Sequence, residues 1–164
     1  GFGAAAHLLI QIAIHENKEV FAFTRPQDKK GQKSALAMGA SWSGGSDEEA
    51  KEPLDAAIIF APVGPLVPKA LQAVKKGGIV ICAGIHMSAI PSFPYRDLWG
   101  ERTLCSVANL TRQDGIDFFK TISKIPIKTT TTPYPLEKLN EAIEDLKNGK
   151  IEGSAVIHIK ENND

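Results

Sequence analysis

The run "GFGAAAHLLIQIA", Gly1 to Ala13, decides how the rest of the chain reads. Two glycines stand one residue apart, and a small residue follows three places later. Apolar side chains then recur at helical spacing. Ala5, Leu8, Leu9, Ile12 and Ala13 form one face of a helix expected from about Ala4 to Asn17. The opening six residues match GxGxxG with alanine in the last place. Gly1 permits a tight turn. Gly3, lacking a Cβ, lets the backbone approach a pyrophosphate, and Ala6 allows the helix to pack closely on a strand. A helix entered through Ala4 and Ala5 offers free N–H groups and a positive dipole end to phosphates. Such a turn normally follows a buried strand. The expectation is therefore that the first strand, central to the sheet, lies upstream of Gly1 or that another segment fills its slot.

Outward from this turn, the chain alternates strands and helices. "KEVFAFTRP", Lys18 to Pro26, reads as a short buried strand ended by a proline. "DKKGQKSALAMGAS" reads as a small helix closed by Gly39, and "SGGSDEEAKEP" as a polar loop. "LDAAIIFAPVG", Leu54 to Gly64, is an almost wholly apolar strand. A helix over Pro65 to Lys76 ends at Gly77-Gly78, and "IVICAGI", Ile79 to Ile85, is the next strand. An irregular stretch carrying Pro91 and Pro94 leads to a strand over Arg102 to Asn109. Thr111 or Asp114 then caps a helix reaching about Lys124.

Apolar strands separated by helices indicate a parallel sheet covered on both faces. The fold class expected is α/β: a doubly wound, Rossmann-type parallel sheet, its first strand missing from the sequence, plus a C-terminal strand–helix–strand tail. In the tail, Leu136, Leu139, Ala142, Ile143 and Leu146 share one helical face. The domain reading is 1–124 for the nucleotide-binding part and 125–164 for the tail.

Composition narrows the partners. Of 164 residues, 19 are basic and 19 acidic, so the formal net charge is zero. That gives no electrostatic reason to expect nucleic acid or an anionic membrane. Cys82 and Cys105 form no CxxC pair and lie in apolar runs, so buried free thiols and a cytoplasmic location are expected. No apolar stretch approaches the ~20 residues of a membrane span. His7, His15, His86 and His158 show no metal-ligand spacing, and only His7 falls in the first turn of the phosphate-facing helix.

The strand end about twenty residues beyond the turn selects the cofactor. An NAD site places Asp or Glu there for the ribose 2′-hydroxyl. This chain has Thr24-Arg25-Pro26, with Lys29 and Lys30 close behind. Thr24 can hydrogen-bond a 2′-phosphate and Arg25 can pair with it, so NADP is favoured over NAD. The alternative is a merely solvated basic cluster, with weak or mixed preference. Ala61-Pro62-Val63, Ala83-Gly84-Ile85 and Ala108-Asn109 leave the carboxyl ends of strands, where small residues suit a flat nicotinamide ring.

The run Phe60 to Gly115, with its strings "CAGIHMS", "LWGER" and "SVANLTR", resembles the zinc-dependent alcohol dehydrogenases of the medium-chain dehydrogenase/reductase superfamily. With "GFGAAAH" and "YPLEKLNEAIEDLKNGKIEGSAV", the resemblance spans essentially the whole chain. It implies a two-domain enzyme transferring hydride between an alcohol or aldehyde and NAD(P). A GroES-like catalytic domain would hold zinc upstream, and the tail from about Ile125 would return to it. Residues 1–164 would be the C-terminal part, inactive alone and with apolar tail surface uncovered.

Gly1, Gly3 and Ala6 match the family's turn, Thr24 its acidic ribose position and Lys29 a basic position near that ribose. Ala83, Gly84, Ile85, Ala108 and Asn109 match backbone positions near the nicotinamide. Ser154 stands where many members carry a pyrophosphate-binding arginine. No catalytic or metal-binding residue carries over. The strand Thr103 to Ala108 matches the one that pairs across the two-fold axis of family dimers, which implies a homodimer. A zinc-free quinone or enoyl reductase of the same superfamily, or a nucleotide-binding module without chemistry, are the other readings.

Overall fold

Among the described residues, 1–159 of a computed structural model, every strand pair is parallel. The elements in order are α1 (Ala4–His15), β1 (Phe21–Thr24), α2 (Lys29–Ala37), β2 (Trp42–Gly45), β3 (Leu54–Ile59), α3 (Leu66–Ala73) and β4 (Val74–Cys82). Then come β5 (Thr103–Ser106), α4 (Arg112–Ile122), β6 (Thr131–Pro135), α5 (Leu139–Lys147) and β7 (Ser154–His158). The strands group as β1-β2, β3-β4-β5 and β6-β7. This is the α/β, Rossmann-type class, with helices connecting parallel strands.

The sheet is not continuous from β1 to β3. Each of these strands pairs on one side only, β1 with β2 and β3 with β4. Ile58 of β3 is accordingly 46% exposed. Two separate cores result. One gathers Ile10 of α1, Ala22 of β1, Ala35 of α2 and Ala40. The other gathers Ile59, Val67, Leu71, Val74 and Val80 around α3 and β3-β4.

Two elements depart from the sequence expectation. β2 lies in what reads as polar loop. "WSGG" carries little strand signal, yet it pairs with β1 from Phe21↔Trp42 to Thr24↔Gly45. The Trp42 ring packs 4.9 Å from that of Phe23, and Ser43 Oγ donates to the Ala22 carbonyl at 3.1 Å. β4 begins at Val74, directly after α3, rather than at Ile79. Leu54 pairs with Val74 and the register then shifts to Ala56↔Ile79, so Lys75–Gly78 form an irregularity inside the strand.

At α4 the capping choice resolves to Thr111. Its N–H donates to Asp114 Oδ2 at 2.7 Å, and its Oγ1 accepts in return from the Asp114 N–H at 3.2 Å. The expectation of two buried thiols is corrected. Cys82 is half-buried, but Cys105 is exposed, because β5 is the outermost strand of its sheet. Both are free.

In the tail, Ile125 and Tyr134 are buried and only Ala142 of α5 is. The apolar face read from sequence is present but uncovered: Leu136, Leu139, Ile143 and Leu146 are all exposed. Tyr134 Oη donates to Asp145 at 3.1 Å and Lys150 Nζ donates to it at 2.9 Å. The tail is held to α1 by a side-chain clamp. Gln11 accepts from the Lys128 N–H at 2.8 Å and donates to the Lys128 carbonyl at 2.9 Å. No described helix is long and apolar enough to cross a membrane.

Candidate functional site

The N-terminus of α1, the exit of β1, the start of α2 and the turn before β7 enclose one cleft of about 210 Å³. That is below the roughly 300 Å³ at which whole small-molecule sites begin, so it suits one end of an extended ligand. Its walls carry Gly3 and His7 from α1, Arg25 from the β1 exit, and Asp28, Lys30, Gly31 and Ser34 around α2. Glu152 and Gly153 close it from the tail.

Gly3 is the N-cap of α1, extended at φ −103° and ψ −163°, and no side chain caps the helix. No acid lies in its first turn. The amides of that turn are thus left for an external acceptor, which the helix dipole makes an anion site. Ala5 is exposed beside Gly3, whereas Ala6 is buried at 8% exposure, as close packing of α1 on the sheet requires. His7 Nε2 lies 3.2 Å from the Lys128 carbonyl, so an N–H there donates to the tail while the ring borders the cleft.

Thr24 behaves differently from its expected role. It is 2% exposed, its hydroxyl donates to the Arg25 carbonyl at 3.0 Å and accepts from Gln32 Nε2 at 3.2 Å. Ala22 and Thr24 share the buried face of β1, so the hydroxyl points inward and does not line the cleft. Lys29 is also outside the lining, its amine donating to Gln32 Oε1 at 3.1 Å. Arg25 and Lys30 are the cations the fold turns to the cleft. Two carboxylates accompany them. Asp28 Oδ1 accepts from the Gly31 N–H at 2.8 Å, capping α2, and Glu152 pairs with Lys30 at 3.0 Å.

The remaining candidates gather at the exits of β3 and β4. A Cβ on Gly1 would stand 3.6 Å from the Ala61 Cβ, so the opening turn adjoins the β3 exit. The Ala83 N–H donates to the Ile59 carbonyl at 2.9 Å. Gly84 lies flat against residues 60–62, with the Phe60 carbonyl 3.3 Å from where its Cβ would sit. Val63 and Ile85 are exposed beside them. Ala108 and Asn109 leave β5 exposed, just past the Val107 N–H that donates to the Cys82 carbonyl at 3.1 Å. The candidates thus form two groups joined through Gly1. Sequence reasoning missed Asp28, Ser34, Glu152 and Gly153. A helix-phase argument could have found Ser34, four residues after Lys30, but nothing local signals Glu152.

Among the described residues, no group of three or more His, Cys, Asp or Glu side chains could hold a metal ion. Burial pushes the Cys82 thiol up, with Cys105 adding to the shift.

No family model matches the chain. It is 41% identical over 160 residues to the probable alcohol dehydrogenase AdhA of Mycobacterium tuberculosis, covering 97% of this chain and 46% of that protein. The acetophenone reductase of Geotrichum candidum, solved in complex with NAD, superposes with a TM-score of 0.80 at 25% identity, covering 96% of this chain and 46% of the other. The CAD protein of Helicobacter pylori, solved with NADP(H), shares the fold with a TM-score of 0.71 at 20% identity, covering 96% and 46%. Relatives named alcohol dehydrogenase therefore cover the chain nearly end to end, and the chain spans about half their length.

Proposed function

We propose that the chain binds a nicotinamide dinucleotide along the carboxyl ends of β1, β3 and β4, as the cofactor-binding portion of a longer alcohol dehydrogenase. The observation that carries this reading is the convergence of an uncapped helix N-terminus at Gly3 with Arg25 and Lys30 in one cleft. Gly1, Gly3, Ala5 and Ala6 would receive the pyrophosphate, and the adenosine ribose would lie toward Arg25. Thr24 and Lys29 would support that end from behind, through Gln32. Ala61, Val63, Ala83, Gly84, Ile85, Ala108 and Asn109 would border the nicotinamide.

The bound dinucleotide supplies the hydride-carrying ring. The chain's own part is to fix that ring's position and to neutralise phosphate charge. With two cations in the cleft and no carboxylate at the strand tip, NADP is the favoured dinucleotide. The zinc that the family resemblance implies would be held by the catalytic part of the enzyme and not by residues 1–164. Residues 1–124 would form the cofactor domain and 125–164 a segment returning to the catalytic part. That assignment accounts for the uncovered apolar face of α5. β5, with one unpaired edge, is the proposed homodimer strand. Two free thiols fit a cytoplasmic location.

Calorimetric titration of residues 1–164 with NADP and NAD, followed by assay with simple alcohols, tests the reading. Saturable binding, tighter for NADP, without turnover is expected. Absence of saturable heat with either dinucleotide refutes the site, and turnover by residues 1–164 alone refutes the division of labour.

A further inference from the structure

Resting on the dinucleotide reading, we infer that Glu152, carried by the tail more than a hundred residues from the phosphate turn, sets the balance between NADP and NAD. The cleft holds two carboxylates, and they are not equivalent. Asp28 is committed to its own helix, accepting from the Gly31 N–H at 2.8 Å. Glu152 makes its contact across the cleft, with Lys30 of α2 at 3.0 Å.

The backbone under Glu152 is not a free loop. Gly153 adopts φ +72°, and a Cβ there would overlap the Thr130 carbonyl. The Ser154 N–H donates to that same carbonyl at 3.0 Å, and Ser154 opens β7 opposite Thr131 of β6. The β6-β7 ladder therefore delivers a carboxylate to the cleft at a set position.

This carboxylate treats the two ligands oppositely. A ribose 2′-hydroxyl can donate to it and leave the Lys30 pair in place. A 2′-phosphate brings about −1.5 to −2 charge. It must push Glu152 off Lys30 before it can use that amine, and it is repelled until then. Arg25 and Lys30 favour the phosphate, and Glu152 opposes it. Glu152 is a specificity-determining residue supplied by the tail to a site otherwise built from α1, β1 and α2.

The test compares Kd for NADP and NAD in the unsubstituted chain, Glu152→Gln, Glu152→Asp and Lys30→Gln. Adenosine 2′,5′-bisphosphate and 5′-AMP serve as probes of the cleft alone. Glu152 and Lys30 side chains are 50% and 74% exposed, so all variants should keep the unfolding profile of the parent. Glu152→Gln should tighten NADP and the bisphosphate by about fivefold, as one uncovered ion pair permits, and leave NAD and 5′-AMP within about twofold. Glu152→Asp, which keeps the charge, should stay nearer the parent ratio than Glu152→Gln. Lys30→Gln should weaken NADP selectively.

If both dinucleotides bind the parent and Glu152→Gln leaves their ratio unchanged, the inference fails and the dinucleotide reading stands. The inference also fails if Asp and Gln at this position act alike. If neither dinucleotide nor probe binds the parent, the dinucleotide reading fails and the inference with it.

Discussion

A methyl group at Gly3 should separate binding from folding. At φ −103° and ψ −163°, the residue occupies backbone space open to any L-amino acid, and a Cβ built there meets nothing within 4 Å. Folding should scarcely register Gly3→Ala. Alanine is the poorer N-cap by a few tenths of a kcal/mol to about 1 kcal/mol. Removing a glycine from the unfolded chain returns about 0.4–1 kcal/mol. The net change is under about 1 kcal/mol, a shift of no more than roughly 8 °C in the midpoint of the melting unit that holds α1.

Binding should register it strongly. The added carbon stands where a pyrophosphate would approach the first-turn amides of α1. Losing one charge-assisted hydrogen bond there costs about 1.5–3 kcal/mol, about ten- to hundredfold in Kd. Circular dichroism melts and calorimetric titration with NADP measure the two effects on one sample. An unchanged Kd would show that the pyrophosphate does not lie over this turn. Gly153→Ala is the contrasting control, since its positive φ and the Thr130 carbonyl should make it costly to folding.

Three further outcomes are expected. Leu71→Ala removes a fully buried side chain from the β3–β5 core and should cost about 2–5 kcal/mol in denaturant unfolding; a loss below about 1 kcal/mol would mean that this core is not close-packed. Gln11→Ala removes both prongs of the clamp on Lys128, so protease sensitivity should rise at residues 125–130 and not at α3; equal protection in the variant and the parent would discount the clamp. Lys150 and Tyr134 hold the Asp145 carboxyl below its ordinary range. Its contribution is therefore present above the unfolded aspartate value and is lost as pH falls through the lower folded one. Asp145→Asn should flatten the acid limb of amide protection in β6-β7, and an unaltered limb would assign the acid sensitivity elsewhere.

What could be read from the residues, and what could not, divides along the range of the interaction involved. The apolar strands β3 and β4 were legible because burial writes a short-period pattern. α1 was legible as a helix but not in its phase: Ala6 and Ile10 are its buried residues, whereas Ala5 and Leu9 of the expected face are exposed. The cap of α4 was legible only as a choice between Thr111 and Asp114, which the structure makes the two halves of one capping box. β2 was not legible, because Trp42-Ser43-Gly44-Gly45 holds its place through backbone rungs to β1 and the tilted packing of the Trp42 ring on Phe23. The inward turn of Thr24 was recoverable, since alternation from Ala22 puts both on the buried face. The cations beyond the strand tip were legible as a cluster, but which lysine faces the cleft depends on helix phase, and Lys29 and Lys30 point apart. Glu152 was beyond reach, because only the return of the tail past α2 brings it to Lys30.

The two cores have a thermodynamic consequence. The cluster around Ile10 and Ala35 and the cluster around Val67 and Leu71 share no residue, and no ladder of backbone bonds joins β1 to β3. Cooperativity in melting depends on such shared contacts. Scanning calorimetry should accordingly see two small melting units on one backbone, with a van't Hoff enthalpy well below the calorimetric one. A ligand lying across Gly1, Gly3 and Ala61 touches both units, so its binding should draw the two transitions into one.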